Sequence, residues 1–354
     1  MNAPLNLVAS VTPRAETLPT PAQLRQQLPL DPLLAERVHQ QRAAIRAVLD
    51  GHDPRLLVVT GPCSLHDPVC ALDYGRRLAA LQEEVGDQLL LVMRAYLEKP
   101  RTTVGWKGLL FDPHLDGSGA ADEGLRLSRG LLLDLLRLGL PLASELLQPM
   151  AAAYIDDLLG WAAIGARTSE SQVHREMVSG LDLPVGFKNG TDGGLEIACD
   201  ALQAAAQPHR HFGLDQQGRP ALLLSRGNPD GHLVLRGGRN GPNYAAAEVA
   251  AARQALQRRG LPARILVDCS HANSGKDPAR QPEVLRAVLE QRLAGDLSLR
   301  GVMLESHLLD GCQPLRQPLR YGQSITDACL GWESSADLLR ETAERLRQAC
   351  GQGM

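Results

Sequence analysis

From residue 55 to residue 306 the chain repeats one pattern, a short β-branched or leucine-rich run followed by a longer amphipathic segment. The runs fall at 56–60, 89–96, 140–146, 162–167, 185–189, 233–237, 264–270 and 302–306. This is the pattern of βα units on a parallel sheet. An open doubly wound sheet shows similar local alternation, but eight strands are the count that closes a (β/α)8 TIM barrel. The 354 residues leave room for such a barrel with extensions. Aromatic residues make up only 3% of the chain, so the core must be built from Leu, Val, Ile and Ala, the branched residues that fill barrel interiors.

Residues outside the repeat have their own signals. Residues 1–54 are expected to form an N-terminal arm and helices, and residues 55–354 the α/β barrel with a β-hairpin inserted at about 211–226. The first twenty or so residues, rich in Pro, Ala and Thr, suggest a flexible arm. Thr20-Pro21 with Gln23 forms a capping-box start, and Asp31-Pro32 opens a second helix that carries Leu34, Val38, Ile45 and Val48 and stops at Gly51. The hairpin is predicted from the turn-like Asp215-Gln-Gln-Gly218 between 212–214 and 221–224. A final helix is expected from Ser334, with Leu338, Leu339 and Leu346 at helical spacing.

Barrel chemistry sits at the carboxyl ends of the strands, so what ends each run is informative. The runs end at or lead into Cys63, Arg94 with Lys99 and Arg101, Glu145, Arg167, Lys188, Arg236, His271 and Glu305. Singly, a strand-end Arg is usually a solvated or ion-paired group. Together, Arg94, Lys99, Arg101, Arg167, Lys188 and Arg236 would crowd one rim, which is costly unless anionic ligands neutralise it, so phosphate or carboxylate substrates are expected. A second set joins Cys63, His271, Glu305 and Asp327, because the first and eighth strands are neighbours in a closed barrel. Mixed S, N and O donors suit a divalent metal ion, Mn2+, Fe2+, Co2+ or Zn2+. Cys269, two residues before His271, competes with Cys63 for the sulfur position, since a buried free Cys is more often packing than ligand.

Other classes find less support. The formal charge of −3 gives no general attraction to nucleic acid or acidic membranes. Seven scattered Cys suggest reduced thiols, and neither a signal-like start nor a bilayer-length apolar run is present, which together point to a cytoplasmic protein. Ser274-Gly-Lys276-Asp277 is only a fragment of a phosphate loop. Cys70, Cys199, Cys312, Cys329 and Cys350 are read as structural. His66, His114, His174 and His307 are read as hydrogen-bonded loop or helix residues, while His209 and His211 show no evident partner.

The ordered motifs between about residues 55 and 333 carry a resemblance. They include Gly61-Pro-Cys-Ser-Leu-His-Asp-Pro68, Glu98-Lys-Pro-Arg-Thr-Thr-Val-Gly-Trp-Lys-Gly108, Ile164-Gly-Ala-Arg-Thr168 and Gly186-Phe-Lys-Asn-Gly-Thr-Asp-Gly193. Leu235-Arg-Gly-Gly238, Asp268-Cys-Ser-His-Ala-Asn273, Glu305-Ser-His307 and Ser324-Ile-Thr-Asp-Ala-Cys329 continue them. The chain resembles the type I 3-deoxy-D-arabino-heptulosonate 7-phosphate (DAHP) synthases of the feedback-regulated bacterial kind. That resemblance implies condensation of phosphoenolpyruvate with erythrose 4-phosphate and water, the first step of the shikimate pathway to aromatic amino acids. It selects Cys63 over Cys269 and implies that Cys63, His271, Glu305 and Asp327 bind the metal. It further implies that Arg94, Lys99, Arg167, Lys188 and Arg236 hold phosphoenolpyruvate, and that Arg101 and Thr102 hold the aldose phosphate. Lys99, Glu145 and His271 then stand nearest the chemistry: Glu145 organises water, and Lys99 or a metal-bound water protonates the nascent alkoxide.

The resemblance also implies a homodimer or homotetramer inhibited by an aromatic amino acid through the arm and the hairpin. Asp182 and His211 stand where phenylalanine-sensitive relatives have Ser and Phe. The stretches 207–210 and 227–231 look more like tyrosine-sensitive relatives, so tyrosine is the expected effector, with tryptophan next. Leu97 replaces the usual Phe before Glu-Lys-Pro-Arg. Two other readings of the same residues exist. Eight-carbon ulosonate phosphate synthases share the chemistry but resemble one another in a different segment after the lysine. A silent amino acid sensor that keeps the barrel would be free to lose site residues, and here all are present.

Overall fold

The computed structural model describes residues 16–101 and 104–352. The chain begins with α1 (Pro21–Gln27) and α2 (Pro32–Asp50). Thr20 and Gln23 form a reciprocal capping box, Asp31 caps the second helix through the Leu34 N–H, and Gly51 ends it in the left-handed region at φ 80. These are the caps expected from the sequence. Next come β1 (Leu56–Gly61), α3 (Pro68–Val85), β2 (Leu89–Arg94), α4 (Ala121–Arg137), β3 (Leu142–Glu145) and α5 (Pro149–Ala152). Then follow β4 (Trp161–Ile164), α6 (Gln172–Ser179), β5 (Val185–Lys188), α7 (Glu196–Ala205) and a hairpin of β6 (Arg210–Leu214) and β7 (Pro220–Leu224). The chain closes with β8 (Gly231–Leu235), α8 (Ala246–Arg258), β9 (Ile265–Asp268), α9 (Gln281–Leu293), β10 (Leu299–His307), β11 (Leu330–Gly331) and α10 (Trp332–Gln352).

Eight parallel strands run in the order β1-β2-β3-β4-β5-β8-β9-β10, and β10 pairs with β1 to close the ring. All eight sequence runs overlap these strands. The observed strands end earlier than several of the runs, because residues such as Tyr96, Leu146 and Ser270 are buried in loops at the rim. A buried loop residue is as apolar as a strand residue, so hydropathy alone overextends the element.

Alternation along the strands divides the core in two. Leu57, Val59, Leu90, Val92, Trp161, Val234, Leu266 and Met303 fill the barrel interior, while Leu56, Val58, Leu89 and Leu91 face the helical shell. Ile45, Val48 and Leu49 of α2 join the interior group. The second helix therefore plugs one end of the barrel and leaves the other end for chemistry. Below the site, Trp161 donates to the imidazole of His232, whose pKa burial pushes down to about 3.

The hairpin pairs Phe212 with Leu222 and Arg210 with Leu224, all exposed, around the Asp215–Gly218 turn. The start of α1 docks on that turn, where Ala22 N–H donates to the Gln216 carbonyl at 2.9 Å. Arg129 of α4, fully buried, ties the segment after α1 to the barrel by donating to the Leu28 and Tyr154 carbonyls and, with two nitrogens, to Asp157. No described helix is long and apolar enough to cross a membrane.

Candidate active site

At the carboxyl ends of the strands lies a cavity of about 320 Å3 lined by Arg94, Lys99, Arg101, Glu145, Arg167, Lys188, Arg236, His271, Glu305 and Asp327. Ring closure explains how residues so far apart in sequence meet. Gly61 at the end of β1 is in register with Glu305 on β10, so the next turn carries Cys63 to the Glu305 side. The segment after β11's partner strand brings in Asp327. Donor atoms of Cys63, Glu305 and Asp327 lie within 4.8 Å of one another.

Loop geometry sets the remaining side chains. Arg167 lies three residues beyond β4, within a turn in which Gly165 O accepts from Thr168 N–H, and His271 lies three beyond β9 with φ 56. The segment after β2 folds back on itself, with Lys99 N–H donating to Lys107 O at 2.9 Å. Gly108 permits this return: its φ is +115, and a Cβ there would overlap the Leu97 carbonyl. Glu98, on the same segment, is buried and accepts from the N–H groups of Leu147 and Gln148, joining the segment to the loop after Glu145.

The crowd of cations is less bare than the sequence suggests. Expecting all six to depend on ligands for neutralisation requires correction, because Arg94, Lys188 and Lys99 already have acidic partners. Arg94 donates to Glu305 at 3.0 Å, Lys188 to Asp268 at 3.0 Å and Lys99 to Asp327 at 2.9 Å. Both members of the first two pairs are buried. Burial works against the Arg94 charge, yet Tyr96, Glu305 and Cys63 outweigh it and keep the guanidinium protonated. Burial likewise opposes the Lys99 charge, but Cys63, Glu305 and Asp327 raise its pKa above the ordinary lysine range. Arg236, by contrast, has its pKa lowered, mainly by burial, and the Arg167 charge acts in the same direction.

Cys63 is fully buried, and burial pushes its thiol up to about 12, with Glu305 and Asp327 acting the same way. Its sulfur accepts from Lys99 at 2.6 Å and the thiol donates to Asp327 at 3.5 Å. A positive charge thus already resides among these donors, and one thiol with two carboxylates is a donor set that suits a first-row divalent ion. His271 is not a member of the three-donor cluster. Its Nδ1 lies 2.9 Å from Asp268, which leaves Nε2 as the ring nitrogen available to a ligand. It remains within electrostatic reach of both Glu305 and Asp327. The residues present fit a bound divalent metal. Cys269 is buried with its sulfur 3.9 Å from the Val267 carbonyl, outside the cluster.

Thr102 lies outside the described residues. His209, expected to lack a partner, is hydrogen-bonded to the Ala204 carbonyl at 2.8 Å. Asp182 pairs with Arg46 of α2 at 2.8 Å, and His211 sits in the hairpin opposite Leu223. The sequence reading passed over several groups that organise the site. Asp268 accepts from Lys188 and from the Ser270 backbone N–H and lies 2.9 Å from His271 Nδ1; the Ser270 hydroxyl donates to Glu305 at 2.7 Å; Gln281 brackets the Glu305 backbone. Asp268 at the end of a strand run was the available signal for the first. A serine or glutamine offered none.

Comparison with known proteins places this geometry. Residues 32–340 match the model of the DAHP synthetase I family. The Tyr-sensitive phospho-2-dehydro-3-deoxyheptonate aldolase of Escherichia coli (strain K12) is 53% identical, with 94% of each chain covered. The Phe-sensitive enzyme of the same organism is 50% identical, covering 95% of this chain and 96% of its own. A solved phospho-2-dehydro-3-deoxyheptonate aldolase from Francisella tularensis SCHU S4 superposes with a TM-score of 0.92 at 41% identity, covering 94% of this chain and 98% of that one.

Proposed function

Since the chain belongs to the DAHP synthetase I family, we propose that it condenses phosphoenolpyruvate with erythrose 4-phosphate and water to give 3-deoxy-D-arabino-heptulosonate 7-phosphate and phosphate. The observation that carries this reading is the convergence, on one cavity, of basic side chains with a thiol and carboxylate cluster. In this reading Arg94, Lys99, Arg167, Lys188 and Arg236 receive phosphoenolpyruvate, and Arg101 with Thr102 receives the aldose phosphate. Cys63, His271, Glu305 and Asp327 hold a divalent metal, which supplies Lewis-acid polarisation of the aldehyde.

The protein's own groups account for the remaining work. Arg94 and Lys188 enter the reaction already aligned by Glu305 and Asp268, so little reorganisation is needed as charge moves. Carbon 3 of phosphoenolpyruvate bonds to the aldehyde carbon, water adds at carbon 2, and the carbon–oxygen bond to phosphate breaks. Glu145 at the cavity wall orients that water. Lys99 keeps its proton against any ordinary base at neutral pH, but an alkoxide is basic enough to take it.

The same reading gives a homo-oligomer, dimer or tetramer, that works in the cytoplasm, where reducing conditions keep Cys63 a thiol. The exposed Phe212, Leu222 and Leu224 of the hairpin supply apolar surface for assembly. Tyrosine is proposed as the feedback effector, in line with the names of the Escherichia coli enzyme above and of the tyrosine-inhibited relative of Schizosaccharomyces pombe, 48% identical over 92% of this chain and 89% of its own.

The test is consumption of phosphoenolpyruvate, followed by its ultraviolet absorbance, with erythrose 4-phosphate or arabinose 5-phosphate and added Mn2+. Consumption with the four-carbon aldose alone, abolished by chelator and restored by metal, is expected. No turnover in the presence of metal would refute the reading. Titrating the three aromatic amino acids against this activity tests the effector: inhibition by tyrosine is expected, and indifference to tyrosine would remove that assignment.

A further inference from the structure

Tyr96 lies two residues beyond Arg94 on the same inward-facing register. Ala95 and Leu97 belong to the outer core and Tyr96 to the interior group. The side chain lines the cavity, yet only 2% of it is exposed. The Arg94 guanidinium carbon stands 3.9 Å from its ring centroid. Among the described residues, the Tyr96 hydroxyl has no hydrogen-bond partner, and neither has Nη1 of Arg94. The other two nitrogens of Arg94 are engaged, Nε with Pro62 O at 3.4 Å and Nη2 with Glu305 and Cys63 O.

A buried hydroxyl without a partner destabilises the fold, and a phenylalanine would fill the same volume and stack on Arg94 equally well. Packing therefore explains the ring and leaves the oxygen unexplained. The charged groups acting on that oxygen are Arg94, Lys188, Glu145 and Asp268. Asp268 and Lys188 are committed to each other at 3.0 Å. Arg94 and Tyr96 both line the cavity and stack on each other, so the unengaged hydroxyl and Nη1 are two spare donors, one neutral and one charged, of the kind that suits one anionic oxygen.

We infer that the Tyr96 hydroxyl is a substrate-binding group that acts with Arg94 Nη1 to hold one anionic oxygen of phosphoenolpyruvate. This rests on the condensation reading, in which Arg94 and Lys188, the two cations flanking the phenol, belong to phosphoenolpyruvate rather than to the aldose. Tyr96 thereby selects for the enol substrate's anion at a point where a phenylalanine would leave Arg94 Nη1 to bind it alone.

The experiment compares wild type, Tyr96→Phe and Tyr96→Leu as metal-loaded full-length proteins. Losing one hydrogen bond to a charged group is expected to weaken phosphoenolpyruvate binding roughly ten- to a hundredfold in Tyr96→Phe, seen both in KM and in equilibrium titration without the aldose. The KM for erythrose 4-phosphate stays at the wild-type value, and ligand-free Tyr96→Phe melts no lower than wild type, because it sheds an unpaired buried oxygen. Tyr96→Leu, which also loses the stack on Arg94, binds phosphoenolpyruvate more weakly still. Wild-type phosphoenolpyruvate affinity in Tyr96→Phe would overturn the inference. So would a loss confined to the aldose KM, or a lower melting temperature without ligand. The reading it rests on fails separately: in that case wild type itself neither binds phosphoenolpyruvate nor turns over.

Discussion

Asp268→Asn removes a negative charge from a place where water cannot replace it. The carboxylate is 1% exposed and lies 3.0 Å from the Lys188 ammonium, itself 5% exposed. At an effective dielectric constant of about 20, a pair at that separation attracts by about 5 kcal/mol. Much of this offsets the cost of burying both ions, so the informative quantity is the cost of leaving one behind, about 3–5 kcal/mol. Lys188→Met should cost a similar amount, because it strands Asp268 with only His271 and Ser270 as partners. The double variant should lose less than the two single losses together, by about 2 kcal/mol or more, since neither orphan remains. Urea denaturation of all four proteins in chelator, which keeps metal binding out of the comparison, measures this coupling. Additivity within about 0.5 kcal/mol would show that the pair is not the unit that holds the floor of the cavity, and the argument from buried ion pairs would fall.

Burial pushes the Glu98 carboxyl up to about 7 despite its bonds to two backbone N–H groups, so the folded protein binds a proton that the unfolded chain releases near pH 4.5. Wild-type stability should therefore fall as pH rises from about 4.5 to about 7 and level off above, whereas Glu98→Gln should lack this slope. The difference between the two should change by roughly 3 kcal/mol across the window in pH-resolved urea titrations, and parallel profiles would refute it. Gly108→Ala should displace the segment bearing Lys99 and lower turnover roughly 100-fold, at a stability cost of about 1–3 kcal/mol. Wild-type turnover in that variant would show that the return at Gly108 does not position Lys99.

The barrel was legible because its signals are local. A strand buried on both sides must be apolar along a short run, a helix start must satisfy its free N–H groups, and Thr20, Asp31 and Gly51 do this within a few residues of themselves. Closure of eight strands then made a distant meeting legible as well, since β1 can reach β10 only by bringing Cys63 toward Glu305. Side-chain direction beyond the strand ends obeys no such period. Nothing local announces that His271 adopts a left-handed backbone and turns Nδ1 to Asp268, or that Lys99 folds back between Cys63 and Asp327. The sequence by itself determined which charges gather at the rim. Which acids Arg94 and Lys188 face, and that the Tyr96 oxygen is left without a hydrogen-bond partner among the described residues, was decided only when irregular loops with no repeating dihedral angles packed against one another.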